Sequence, residues 1–276
     1  MVVSWPEDWQ LTGSGAAAYE RFQVPSLFAP LARVFLERAT PRPGDAVLDV
    51  ACGTGIVARL AAGAVGAGGR VVGIDLNEVM LEVARQSAPP GDRRLAWRHG
   101  DASALPCADA RFDLVLCQQG LQFVPDKAGA LAEMHRVLRP GGRLGLCVWR
   151  SIVHSPCNAA CLAALEPRLG AATAGRLRGP FALGDPELLA PMIARAGFQE
   201  IEIQQVVVTR RMLAAEASIP GHLDSTPLGP AVAALDQAAR AAVVREIAEA
   251  LRPYRDTDGL SVPQGTLIAL ARKPVS

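Results

Sequence analysis

The sequence predicts an α/β chain, a mostly parallel β-sheet held between layers of helices, and three patterns carry that prediction. From Val47 to Val148 apolar, β-branched-rich runs alternate with helical stretches, the order that winds a parallel sheet with helices on both faces. Residues 47–55, VLDVACGTG, lead from one such run into a helix through two glycines. Asp75 then closes the next run, RVVGID.

Each element has its own reason. Residues 14–40 place Tyr19, Phe22, Leu27, Leu31, Val34 and Phe35 at near-helical spacing before the break TPRPGD, which predicts one or two helices and an N-terminal helical cap over residues 1–40. Val47, Leu48 and Val50 suit a strand buried on both faces. Gly53 and Gly55 lack a Cβ, so the chain can turn at positive φ and approach a ligand closely, while the helix from Ile56 offers unpaired N–H groups at its start. Asp75, at the end of a strand over residues 70–74, can accept hydrogen bonds from both hydroxyls of a ribose. A third strand over residues 95–99 runs into Gly100, Asp101 and Ala102, which offer a side-chain acceptor and a backbone N–H to an adenine edge. In residues 138–146, LRPGGRLGL, a proline and two glycines end a helix and open another strand. Residues 41–150 therefore read as a nucleoside-cofactor core.

Two cofactor classes fit the glycines. Gly53, Gly55 and Ala58 satisfy the G-x-G-x-x-A dinucleotide fingerprint, with Asp75 as its distal acid, so an NAD-type oxidoreductase is the alternative. Asp49 argues against it, because a carboxylate inside the motif repels a pyrophosphate and pairs with a cationic amino group.

On these residues, the segment 43–150 resembles the class I S-adenosylmethionine-dependent methyltransferases, and among them the ubiquinone and menaquinone C-methyltransferase-like (methyltransferase type 11) subgroup. The resemblance rests on VLDVACGTG, GIDLNEVMLEVAR, GDASALPCADARFDLVLCQQGLQFVPD and EMHRVLRPGGRL. Ala51 departs from it, standing where many relatives carry glycine, and a slightly tighter turn is expected there. The resemblance implies a Rossmann-like three-layer sandwich, a seven-stranded mostly parallel sheet with an antiparallel edge strand, plus helical lid insertions. It also implies roles: Asp49, Ala51, Gly53 and Gly55 around the methionine moiety of S-adenosyl-L-methionine, Asp75 on the ribose, Leu76 and Met80 against the adenosine, and Asp101 and Ala102 at the adenine. Cys117, Gln118 and Gln119 would border the sulfonium and the acceptor, and Tyr19 joins the cofactor set. The implied reaction is in-line transfer of a methyl group to O, N or C of a small molecule in specialised or quinone-like metabolism, leaving S-adenosyl-L-homocysteine. A protein that binds the cofactor without transferring methyl groups is a further alternative.

Beyond the core, residues 199–211 and 266–273 read as two more strands, so that 185–211 and 266–276 complete the sheet. Two insertions flank them. Residues 151–184 contain an Ala/Leu-rich helix, and in residues 212–265 Val232, Leu235, Ala239, Val243, Ile247 and Leu251 form a helical stripe. Fifty residues are too many for an idle hairpin loop, so the insertions read either as a lid over the acceptor or as a dimer interface. His154 is the candidate catalytic base, with His222 and Tyr19 as further candidates, while His99 and His135 read as sheet or surface residues. Trp5, Trp9 and Phe22 form an aromatic wall or anchor the N-terminus.

Composition sets the outer limits. Half of the 276 residues are apolar, enough for a substantial core, and 28 basic against 27 acidic residues leave a charge of +1, with no basic block to track nucleic acid. The sequence has no membrane span and no signal peptide pattern, so a cytoplasmic monomer or homodimer is expected. The six cysteines include no CxxC pair and read as buried free thiols, with no metal site.

Overall fold

The computed structural model describes residues 11, 15–226 and 228–275. Its eight-stranded sheet has the order β3-β2-β1-β4-β5-β8-β6. The strands are β1 Ala46–Val50, β2 Arg70–Asp75, β3 Leu95–His99, β4 Phe112–Gln118, β5 Leu138–Trp149, β6 Gln199–Met212, β7 Arg255–Asp256 and β8 Gly259–Arg272, the short β7 pairing with β8 off the main path. Strands β1 to β5 are mutually parallel, and β8 runs antiparallel to both β5 and β6. The antiparallel strand therefore lies one place in from the edge that the sequence reading assigned to it. The reason is in the residues: TLIALA of β8 is largely apolar on both faces and is buried except for the half-buried Leu270, whereas IEIQQVVVTRR of β6 is mostly polar and suits an edge.

Side chains alternate along the strands and divide between two cores. On one face Val47, Leu114, Leu116 and Ile268 pack under the helices Ala29–Ala39 and Ile56–Val65. On the other, Leu48, Val115, Leu146 and Leu267 pack against Lys127–Val137 and Pro186–Arg195. The N-terminal cap is one helical run, Gly15–Ala18, Tyr19–Phe28 and Ala29–Ala39. Its middle section is wound as a π-helix with Pro25 inside, and the Ala29 N–H reaches back five residues to the Val24 carbonyl.

The two insertions pack on each other. Leu162 and Leu165 of the helix Pro156–Gly175 share a core with Ile219 and Leu223 of Ala215–Asp224 and with Val243 and Ile247 of Gln237–Ala250. The stripe read as one helix is split. A short helix, Gly229–Ala233, ends before Asp236, whose carboxylate accepts the Ala239 N–H at 2.8 Å and starts the long one. The last strand begins at Gly259 rather than Thr266, because the β6–β8 ladder continues out to Met212 opposite Leu260 and carries the second insertion at its tip.

Candidate active site

A cavity of about 330 Å³ opens at the carboxyl ends of β1, β2, β3 and β4, at the point where strand order reverses between β1 and β4. Open α/β sheets bind ligands there because the diverging loops leave a crevice.

The floor is built by carboxylates and backbone N–H groups. Asp49, 1% exposed near the end of β1, accepts the Ala58 N–H at 3.0 Å. Burial pushes its pKa up to about 8, with the Ala58 hydrogen bond opposing and Asp75 adding to the rise. This contact changes the expectation for the helix Ile56–Val65: an N–H of its first turn is already taken by Asp49, and a second anion there is disfavoured. The result weighs against a pyrophosphate and leaves a buried carboxylate suited to a cation. Asp75 holds both strand ends together, its Oδ2 accepting from Gly53 N–H at 2.7 Å and its Oδ1 from Asn77 N–H at 2.8 Å. Burial raises its pKa against these hydrogen bonds. Each oxygen keeps capacity for another donor.

The turn between them carries three left-handed residues, Ala51, Gly53 and Gly55, and two of them reveal its packing. Gly55 has φ +83°, and a Cβ there would collide with the Trp97 ring, so this glycine makes room for the indole. Ala51 adopts φ +54°, a strained conformation for alanine, and its methyl fills the space that Gly120 vacates; a Cβ at Gly120 would sit 2.5 Å from it.

Leu76, Met80, Asp101 and Ala102 line one side of the cavity, and Asp101 Oδ1 is held by the Ser103 N–H and hydroxyl at 2.8 and 2.7 Å. Gln118, Gln119 and Tyr19 line the other. Tyr19 packs on Phe28 with ring centroids 4.9 Å apart, and burial raises its pKa, so its phenol stays protonated. Gln119, left-handed at φ +57°, points into a buried polar cluster and reaches Thr266 Oγ1 at 3.3 Å. Gln118 is 9% exposed, and its Oε1 is buried with no hydrogen-bond partner.

Several expected residues do not line the cavity, among them Gly55, which packs against Trp97 instead. Cys117 shares the strand face of Val115 and is buried in the opposite core, with its thiol pKa raised to about 12 by burial; the two-residue period of β4 sends Gln118 to the cavity instead. His154 ends the short turn Ile152–His154, is exposed, and does not line the cavity. Its backbone packs against Gly265 of β8, which holds the turn on the outside. His222 is buried on the far side of Gln23. Phe22 is exposed and stacks under Arg21, while Trp5 and Trp9 lie outside the described residues.

The cavity also gains residues that the sequence reading missed: Leu11, Phe28, Thr54, Asn77, Phe123, Trp149 and Ser225. Asn77 had a signal, since an asparagine before EVMLEVAR is an N-cap, and it accepts the Val79 N–H at 3.0 Å. Phe28, Trp149 and Ser225 reach the cavity by tertiary folding and carry no local pattern.

This sheet order, with Asp49 and Asp75 at one crevice where the strand order reverses, is that of a nucleotide-binding type of α/β fold. Residues 48–146 match the family described as a methyltransferase domain. The chain is 35% identical over 203 residues to nocamycin O-methyltransferase of Saccharothrix syringae, covering 70% of this chain and 72% of that enzyme. It is 42% identical over 113 residues to demethylmenaquinone methyltransferase of Symbiobacterium thermophilum, covering 40% of this chain and 45% of the relative, so it spans about half or less of that relative's length. Phosphoethanolamine N-methyltransferase 2 of Haemonchus contortus, solved with phosphomonomethylethanolamine and S-adenosylhomocysteine, superposes with a TM-score of 0.64 at 22% identity over 99% of this chain and 61% of that one, a likeness of fold. The chain belongs to the S-adenosylmethionine-dependent methyltransferases. Its cofactor is S-adenosyl-L-methionine. Among the described residues, no helix is long and apolar enough to cross a membrane.

Proposed function

We propose that this enzyme O-methylates a planar, conjugated small molecule, with the cofactor held at the carboxylate end of the cavity and the acceptor at its aromatic end. The observation that carries the reading is the junction of the two. Gln118, whose Oε1 is buried without a partner, lines the same cavity as Asp49 and Asp75 and the rings of Tyr19, Phe28, Phe123 and Trp149. A buried carbonyl oxygen without a donor costs about 1–3 kcal/mol, and a hydroxyl on the acceptor satisfies it.

The residues fit the cofactor. Asp49 supplies the charge that a methionine ammonium needs, Asp75 has an open acceptor position on each oxygen for the ribose, and Gly53, Leu76 and Met80 shape the wall where the adenosine lies. Ala51 and Gly55 set the turn, and Asp101 and Ala102 face the adenine edge. The bound cofactor supplies an electrophilic methyl group on a sulfonium. The protein's own part is to hold the two reactants in line and exclude water, worth about 7–11 kcal/mol when the reacting atoms are well oriented. Tyr19, being protonated, donates a hydrogen bond and does not act as the base. With no histidine among the described residues lining the cavity, the acceptor is a hydroxyl acidic enough to lose its proton readily, such as a phenol or enol.

The O-methyltransferase relative that spans most of the chain supports oxygen over carbon or nitrogen. The near-neutral charge and six free cysteines support a cytoplasmic enzyme that takes no nucleic acid substrate, as monomer or homodimer. The test is incubation with methyl-labelled S-adenosyl-L-methionine and matched phenols, enols, quinols and amines. Label in O-methyl products is expected. Label in amines or ring carbons alone overturns the oxygen assignment.

A further inference from the structure

Away from this cavity, the insertions gather a second set of reactive side chains. Cys157 and Cys161 stand four residues apart on the helix Pro156–Gly175, a spacing that places both thiols on one helical face. His222 faces them from Ala215–Asp224. One ligand atom from each of the three lies within 4.8 Å of the others, and all three residues are buried. The ring of His222 is held in place by Gln23, whose amide Nε2 donates to Nδ1 at 2.7 Å while its oxygen accepts from Arg210. Two thiols and an imidazole form a donor set for zinc and other thiophilic ions, and not for calcium or magnesium, which take oxygen.

We propose that Cys157, Cys161 and His222 bind one zinc ion, which clamps the two insertions together. Each ligating thiol releases its proton to solvent as its metal–sulfur bond forms, no atom is oxidised or reduced, and water completes the fourth position. The sequence has no CxxC pair to announce a metal, and the third ligand lies 61 residues beyond the second and arrives only through the packing of two insertions. Buried Arg210 bonds Gln23 Oε1 at 2.7 Å and adds positive charge nearby, so the ion is held more weakly than in a four-cysteine site. The same glutamine donates to Ser225 Oγ at 2.5 Å, and Ser225 lines the methyl-transfer cavity, so the clamp also holds one wall of the acceptor site.

The test uses the full chain purified without chelator, zinc analysis by plasma mass spectrometry, and cobalt(II) titration of the metal-stripped protein. Expected are about one zinc per chain and thiolate-to-cobalt charge-transfer absorption. Both are lost in the double variant Cys157→Ser with Cys161→Ser, and affinity falls about tenfold or more in His222→Ala. Calorimetric binding of S-adenosylhomocysteine checks that each variant is folded and does not depend on which acceptor is methylated. Absence of zinc together with absence of charge-transfer bands, in protein that binds S-adenosylhomocysteine, overturns the proposal. So does a cobalt spectrum that survives the cysteine changes.

Discussion

The two ends of the site are built at different ranges along the chain. At the cofactor end, Asp49 meets Ala58 nine positions away, and Asp75 meets Gly53 twenty-two away. At the insertion end, Gln23 meets His222 and Ser225 across 199 and 202 positions, and Arg210 meets Gln23 across 187. The first kind of contact is a property of a motif, one strand and its turn. The second exists only once the N-terminal helix, the β6–β8 hairpin and the insertions have packed. A change at the cofactor end should therefore act on cofactor binding, and a change at the insertion end on the acceptor.

The sharpest break of that comparison is Asp75→Ala. It removes the carboxylate proposed to hold the ribose and strands the Gly53 and Asn77 N–H groups, so S-adenosylhomocysteine affinity should fall about a hundredfold by calorimetry. Asp49→Asn should weaken the same affinity about tenfold to thirtyfold and abolish its pH dependence. The sign follows from the raised pKa of about 8. In the ligand-free enzyme Asp49 is protonated below that value, and binding an ammonium requires the ionised form. Wild-type affinity should thus rise with pH toward 8, with proton release on binding, and level off above it. The ligand-free fold shows the opposite trend. A carboxyl whose pKa is raised on folding favours the folded state at low pH, so its contribution is lost progressively as pH climbs from about 4 to 8.

Gly120→Ala should cost about 2 kcal/mol, lowering Tm by several degrees, because the new methyl meets Ala51 Cβ and Cys117 Sγ. Ala51→Gly in the same chain should recover part of the loss, by removing one methyl and relieving a left-handed alanine. Additive effects in that double variant would show that the two residues are not coupled. Gln23→Leu probes the insertion end: KM for the acceptor should rise several-fold while S-adenosylhomocysteine affinity stays within about twofold, since Gln23 reaches the cavity only through Ser225. The smallest effect is expected of His154→Ala, with kcat unchanged within about twofold, because its side chain is exposed and outside the cavity.

Local chemistry determined the core by itself. The strands β1 to β3, the glycine turn, Asp49, Asp75 and the Asp101–Ala102 pair were legible because each depends on neighbours within one strand–turn–helix unit. The alternation of β4 was legible in principle as well, and it is what separates Gln118 from Cys117. Only the tertiary structure decided the rest. It set β8 inside the sheet and β6 at its edge, turned His154 outward, split the long insertion helix at Asp236, and brought Phe28, Trp149 and Ser225 to the acceptor end. The physical reason is that a motif encodes backbone turns and hydrogen bonds whose partners are already close along the chain. An acceptor pocket is lined by side chains from distant segments, and their meeting depends on how whole faces pack, which no local pattern records.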